Sequence, residues 1–218
     1  IVALFAFSIV SFFTSKPFMS SLAISSIVLV LSTILYEWFR GSRNLARNGT
    51  HWFYAFFKLI SNNRKKYGGY VVHISILLVA LGVIGINFYQ VKIDKVVTVG
   101  ERIEIGNYQI EIAEINENSF NDRREKVATF LILDSNEKII ETLQGNNTFY
   151  PSFNMASIRA AIKSGPIEDL YIIPSDFIDN DKMKLIISIN PLVWWMWLGG
   201  PIFILGTLIS LWPRNLKL

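Results

Sequence analysis

Cysteine is absent from this 218-residue chain, and only two histidines, His51 and His73, are present. No disulfide framework, thiolate nucleophile or Cys-ligated zinc or iron–sulfur site can therefore be built from it. A catalytic triad or a multi-histidine metal site drawn from this chain alone is not expected either. Charge is also scarce: 17% of the residues are Asp, Glu, Lys or Arg, where a soluble domain carries about a quarter. The deficit is local, because residues 1–15, 17–36, 67–91 and 190–213 contain no charged residue at all. At about 1.5 Å per helical residue, the last three of these runs are long enough to cross a hydrocarbon core of about 30 Å. A wholly soluble protein is excluded.

Acid is what the apolar part lacks most. Residues outside 90–190 hold 10 Lys or Arg against 1 acid, whereas residues 90–190 hold 11 against 16. The pattern is an acidic domain inserted into a basic membrane part. The first residue is Ile1, inside an apolar run that is short for a span. The chain reads as the tail of a longer polypeptide or as one whose start is missing, and a secretory signal peptide is not expected without a basic region ahead of that run.

Basic residues near span ends mark the cytoplasmic side. The connection 40–66 carries Arg40, Arg43, Arg47, Lys58, Arg64, Lys65 and Lys66 with no acid, and the tail adds Arg214 and Lys217. The expected order is two transmembrane helices in 1–39, the first truncated, then a basic cytoplasmic loop in 40–67 and a third helix in 68–89. An extracytoplasmic domain follows in 90–190, then a fourth helix in 191–213 and a cytoplasmic tail in 214–218. Residues 51–60, HWFYAFFKLI, are too short and too aromatic for a span and are predicted to lie along the membrane surface. The basic residues around them suit topology and contact with anionic lipid; holding an acidic cofactor group is the alternative.

The inserted domain reads as mainly β. Residues 102–105 and 108–112 alternate around Gly106-Asn107, a hairpin signal. Strands are further predicted over 127–133, 138–143 and 182–189, with 154–163 ambiguous between helix and strand. Glu168-Asp169 and Asp179/Asp181 are expected in turns on a solvated surface. The fold class is thus an α-helical polytopic membrane protein, with about four transmembrane helices, carrying a mainly β extracytoplasmic domain.

His73 lies within a span, and an imidazole in lipid is costly unless something satisfies it. A hydrogen bond to a neighbouring helix, metal or haem ligation, and proton transfer are the readings open to it. Gly69, Leu77 and Ala80 share its helix face; the small residues Gly69 and Ala80 would leave room for a flat macrocycle, or equally for another helix. Gly82 and Gly85 favour close helix packing. Trp194, Trp195 and Trp197 read as an interfacial belt, and Gly199-Gly200-Pro201 as a kink or close contact.

The run Asn63-Arg64-Lys65-Lys66-Tyr67-Gly68-Gly69-Tyr70-Val71-Val72-His73 closely resembles a signature in the later part of CcmF-type cytochrome c biogenesis proteins, the haem lyase subunits of a multi-component assembly pathway. Phe149-Tyr150-Pro151, Ile167-Glu168-Asp169-Leu170-Tyr171, and Asn190-Pro191-Leu192-Val193-Trp194-Trp195-Met196-Trp197-Leu198-Gly199-Gly200 look like the same family in the same order. The resemblance implies part of a holocytochrome c synthase, incomplete in this chain, that assists covalent attachment of haem to apocytochrome c. It implies haem b as cofactor, with His73 as an axial iron ligand and the second ligand outside this chain; by helical spacing, Gly69 and Ala80 are the cofactor-binding residues expected beside it. Partners implied are apocytochrome c, the haem chaperone and other maturation subunits, an upstream CcmF-like segment and membrane lipid, with no nucleic acid. The location implied is the bacterial inner membrane with residues 90–190 periplasmic. The family's Trp-rich haem-handling motif lies upstream, so Trp194 to Trp197 are not its counterpart. A non-enzymatic membrane assembly module and a haem or quinone transport component are the alternatives.

Overall fold

A computed structural model describes residue 7 and residues 18–47, 51–134, 137–179 and 181–212. Helices α1 (Phe18–Ala46), α2 (Trp52–Asn62) and α3 (Arg64–Tyr89) come first. The strands are β1 (Val91–Thr98), β2 (Arg102–Ile105), β3 (Tyr108–Ser119), β4 (Arg124–Leu133), β5 (Ile139–Tyr150), β6 (Met155–Arg159), β7 (Ala161–Lys163), β8 (Glu168–Phe177) and β9 (Lys182–Pro191), and helix α4 (Val193–Leu211) follows. Among the described residues, 3 helices, α1, α3 and α4, are long and apolar enough to cross a membrane. The protein is therefore a membrane protein with a β domain. The first of the four expected spans falls on residues 1–15, outside the described residues apart from Phe7. The segment expected along the membrane surface forms helix α2, whose Trp52, Phe53, Tyr54 and Phe57 are exposed while Ala55 is buried.

The described helices form one compact unit and Tyr89–Pro191 a second. The second is a sandwich of two antiparallel sheets, β1-β9-β8-β7 and β2-β3-β4-β5-β6. Its core is the alternate residues of facing strands. Val97, Leu170, Ile172, Met183, Leu185 and Ile187 come from one sheet, and Ile103, Ile110, Ile112, Phe130 and Ile132 from the other. Period-2 patterning puts one side chain in two on the inner face, and burying each large one is worth about 1.5–3 kcal/mol.

The hairpin around Gly106 forms as expected, with Arg102 opposite Glu111 and Ile105 opposite Tyr108. Gly106 has φ +56 there, a conformation that favours glycine. The ambiguous stretch is two short strands, β6 and β7, and β1 and β8 add strands that the alternation had not revealed. Pro174 sits within β8, where a proline removes a ladder donor. Strand β7 pairs only with residues 170–172 of β8, and a bulge separates Pro174 from Asp176, so the missing N–H costs no ladder bond on the β7 side.

Strand β1 pairs with β9 along its length, from Val91 opposite Ile189 to Thr98 opposite Lys182. The first and last strands of the domain are thus neighbours. The chain leaves α3 and rejoins α4 at one end of the sandwich, where Gln90 Nε2 donates to Asn190 Oδ1 at 2.5 Å.

Candidate functional site

Helix α3 is apolar all round except at its basic start, as a span must be. Its small residues make one stripe a contact surface. A Cβ added to Gly68 would lie 2.6 Å from Ser210 N, and one on Gly82 would lie 2.7 Å from Met196 Cβ. From the other side, a Cβ on Gly206 would lie 2.7 Å from Val72 N, and one on Gly199 2.9 Å from Ser75 O. Positions 68, 72, 75, 79 and 82 repeat at intervals of four and three, the seam of two closely packed helices. Gly199 is thus a close contact with α3, while a Cβ on Gly200 would meet nothing within 4 Å.

Aromatic packing holds a second face of α3. Trp38 of α1 stacks on Tyr67 with ring centroids 6.4 Å apart and meets Tyr70 edge-on at 6.5 Å. Beside them, Lys66 Nζ donates to Glu37 Oε2 at 2.9 Å. Glu37 is the single acid outside residues 90–190. Its isolation among ten cations is a sequence signal for an ion pair that patterning alone did not assign.

His73 lies off the glycine seam, one helical turn beyond Tyr70 at the edge of the aromatic face. At 100° per residue it is roughly 140° around the helix from the middle of the glycine seam. The imidazole is exposed, and its Nδ1 lies 2.7 Å from Gly69 O. A carbonyl only accepts, so Nδ1 carries the proton and donates. In the neutral ring the lone pair then sits on Nε2, the nitrogen directed away from the helix backbone. On the same face a Cβ at Gly69 would meet nothing within 4 Å, Leu77 and Ala80 are half-buried, and Ile76 is exposed. The face is left open by the described residues, which contain no group of three or more His, Cys, Asp or Glu able to hold a metal ion. The second histidine, His51, is the exposed N-cap residue of α2 and makes no side-chain capping bond.

The β domain corrects one expectation. Glu168 and Asp169 open β8, and Asp169 is 2% exposed, not on a solvated surface. Its Oδ1 accepts the Gly165 N–H at 3.0 Å, and a loop amide beside a strand explains why a buried carboxylate is tolerated there. Pairing with Asn190 across the ladder places it next to the return into α4. Burial, with the Glu168 carboxylate beside it, pushes the Tyr108 hydroxyl up to about 12. Asp169→Ala is expected to strand the Gly165 N–H at a cost of about 1–3 kcal/mol. Hydrogen exchange at the Leu170 and Ile189 amides should quicken, and Asp169→Asn, which keeps an acceptor oxygen, should show a clearly smaller change. Equal exchange in the alanine variant and the wild type would show that the buried bond carries no stability.

Residues 88–191 match the family described as "CcmF C-terminal beta-sandwich". Over 213 residues, 97% of its length, the chain is 24% identical to "Cytochrome c-type biogenesis protein CcmF" of Haemophilus influenzae, of which it covers 32%. To the Escherichia coli protein of the same name it is 25% identical over 152 residues, 69% of this chain and 23% of that one. Among solved structures, "Cytochrome c Heme Lyase CcmF" shares the fold with a TM-score of 0.69 at 23% identity, across 97% of this chain and 34% of that chain. The chain thus spans about a third or less of the length of these relatives. It is similar to the C-terminal part of CcmF-type cytochrome c biogenesis proteins, as the motifs from Asn63 to His73 and from Asn190 to Gly200 imply.

Proposed function

We propose that this chain, with its likeness to the C-terminal part of CcmF-type proteins, takes part in cytochrome c maturation by supplying His73 as one axial ligand of a membrane b-type haem. The observation that supports this reading is the Nδ1 donor bond to Gly69 O, which leaves Nε2 directed outward on an uncovered helix face. A ligating histidine characteristically donates its other ring nitrogen to a carbonyl or carboxylate, which fixes the tautomer and orients the ring. Imidazole is a common axial ligand of haem iron, and the open space at Gly69 and the small side chain of Ala80 suit a planar group lying along the helix. The haem would supply one-electron redox chemistry at this depth. What the chain itself does is hold the ring nitrogen in place, through a helix anchored by the glycine seam and by the Trp38 cluster that reaches Tyr70, one turn before His73. The second ligand comes from a segment outside this chain, since His51 is the one other histidine.

In this reading the basic connection faces the cytoplasm, so residues 90–190 face the periplasm of a bacterial inner membrane. The β domain then serves as a docking surface for apocytochrome c, the haem chaperone and other maturation subunits. It contains no His or Cys, so attachment chemistry is completed by other parts of the haem lyase.

The test is the visible spectrum of the purified chain, alone and co-expressed with the CcmF-like segment that precedes it in its relatives. The chain alone should bind haem weakly or in five-coordinate form, and the co-expressed pair should show the sharp reduced α and β bands of low-spin, bis-histidine haem. A pair that supports cytochrome c maturation with no b-type spectrum would defeat the reading and leave a non-enzymatic assembly module in its place.

A further inference from the structure

The end of the helical unit where α3 begins and α4 finishes holds a cavity of about 470 Å³. Ser61, Asn62, Asn63, Arg64 and Lys65 line one side of it, and the last residues of α4 close the other. Next to it runs an apolar groove of about 440 Å³ between α2 and α4, lined by Phe57, Ile60, Leu205, Leu208 and Ile209. The two are continuous, since Ser61, Arg64 and Trp212 line both. From Trp212 back to Leu205 is seven residues, roughly 10 Å of helix at 1.5 Å each, so the groove descends from the end of a span toward its middle.

A polar, cationic cup at the level of a span's end joined to an apolar channel that enters the hydrocarbon has the polarity profile of one phospholipid. The charge selects among lipids. Arg64 and Lys65 line the cup and no acid lines cup or groove. Glu37, the single acid outside residues 90–190, is held by Lys66. Nothing in the lining would therefore receive the ammonium of a zwitterionic headgroup. The phosphate of an anionic one would meet two cations and the hydroxyl and amide side chains of Ser61 and Asn62. We propose that this cup and groove form a binding site for one anionic phospholipid, its phosphate at Arg64 and Lys65 and an acyl chain along Leu205 and Leu208. The lipid would brace the start of α3, nine residues before His73, against α2 and α4. The site is separate from the His73 face and does not depend on haem binding there.

The test uses the full chain in lipid nanodiscs of phosphatidylcholine containing phosphatidylglycerol, with lipid retained after detergent washing quantified by mass spectrometry. Phosphatidylglycerol should be retained over phosphatidylcholine, and the double change Arg64→Gln, Lys65→Gln should reduce its retention about thirtyfold, since each cation near a headgroup is worth about 1 kcal/mol. Lys58→Gln, a cation outside the cup, should leave retention unchanged. Leu208→Ser should weaken retention of long-chain phosphatidylglycerol but not of its dihexanoyl analogue. In the unaltered protein, the preference should shrink on raising the salt to 0.5 M, which keeps the test independent of how the variants fold. Equal retention of the two lipids by the unaltered protein would overturn the proposal. So would a Lys58 effect as large as that of the double change, or complete displacement by millimolar inorganic phosphate with no dependence on chain length, which would make the cup a phosphate site only.

Discussion

On the proposed ligation, His73→Ala is expected to remove at least nine-tenths of the low-spin haem spectrum from the co-expressed assembly, and cytochrome c maturation with it. The change takes away an iron ligand that no other described side chain is placed to replace. It should do little else. His73 is exposed and its one hydrogen bond is local, to Gly69 O at 2.7 Å, and alanine is the strongest helix former. Helix content and expression should therefore match the wild type, which separates lost ligation from lost folding. Added imidazole should restore part of the spectrum by occupying the vacated position. A companion change probes the space beside the ring: a Cβ at Gly69 meets nothing within 4 Å, so Gly69→Leu should leave the fold intact while lowering haem occupancy. Full spectrum and maturation in His73→Ala would show that the imidazole has no part in haem binding.

The second large effect belongs to the glycine seam. Gly206→Val places a branched side chain where even a Cβ would lie 2.7 Å from the backbone nitrogen of Val72. Backbone cannot rotate aside as a flexible side chain would, so α3 and α4 must separate along the whole stretch that Gly68, Gly82 and Gly199 also bring together. Overpacking of this kind costs about 1–3 kcal/mol and sometimes more. In a bilayer, close packing is itself the main force joining helices, because lipid tails are as apolar as the side chains. The variant should unfold at lower temperature in detergent and be cut faster by added protease. Gly200→Ala, where a Cβ meets nothing within 4 Å, is the matched control and should be neutral or slightly stabilising, since glycine costs a helix about 1 kcal/mol relative to alanine. Equal sensitivity of the two variants would mean that the seam does not hold the helices together.

How far each feature could be read in advance depended on how local its physics is. Uncharged runs longer than about 20 residues identify spans with no reference to their neighbours, so α1, α3 and α4 were legible from composition. The hairpin at Gly106 was legible because turn residues and alternation are contained in a dozen positions. Strand β8 was not. Its first residues, Glu168 and Asp169, are acidic, and their place in a sheet is decided by Asn190 and Pro191 on a strand about twenty residues later. The burial of Asp169 rests on the loop amide of Gly165 and on its place opposite Asn190 in the ladder, neither of which leaves a mark in local alternation.

The same division runs through the candidate site. By itself the sequence determined that one histidine lies in a span, that small residues flank it at helical spacing, and that the chain offers no second intramembrane histidine among its identified spans. Chemistry and composition suffice for those statements, because they depend on which residues are present and on the 3.6-residue repeat. Only the tertiary structure decided which face of α3 each small residue serves. Gly68 and Gly82 are committed to α4, whereas Gly69, one residue from Gly68, opens beside His73. A one-residue step turns a helix by 100°, and the direction that counts as inward is set by where the partner helices lie. That is a property of the packed chain, and no run of residues carries it alone.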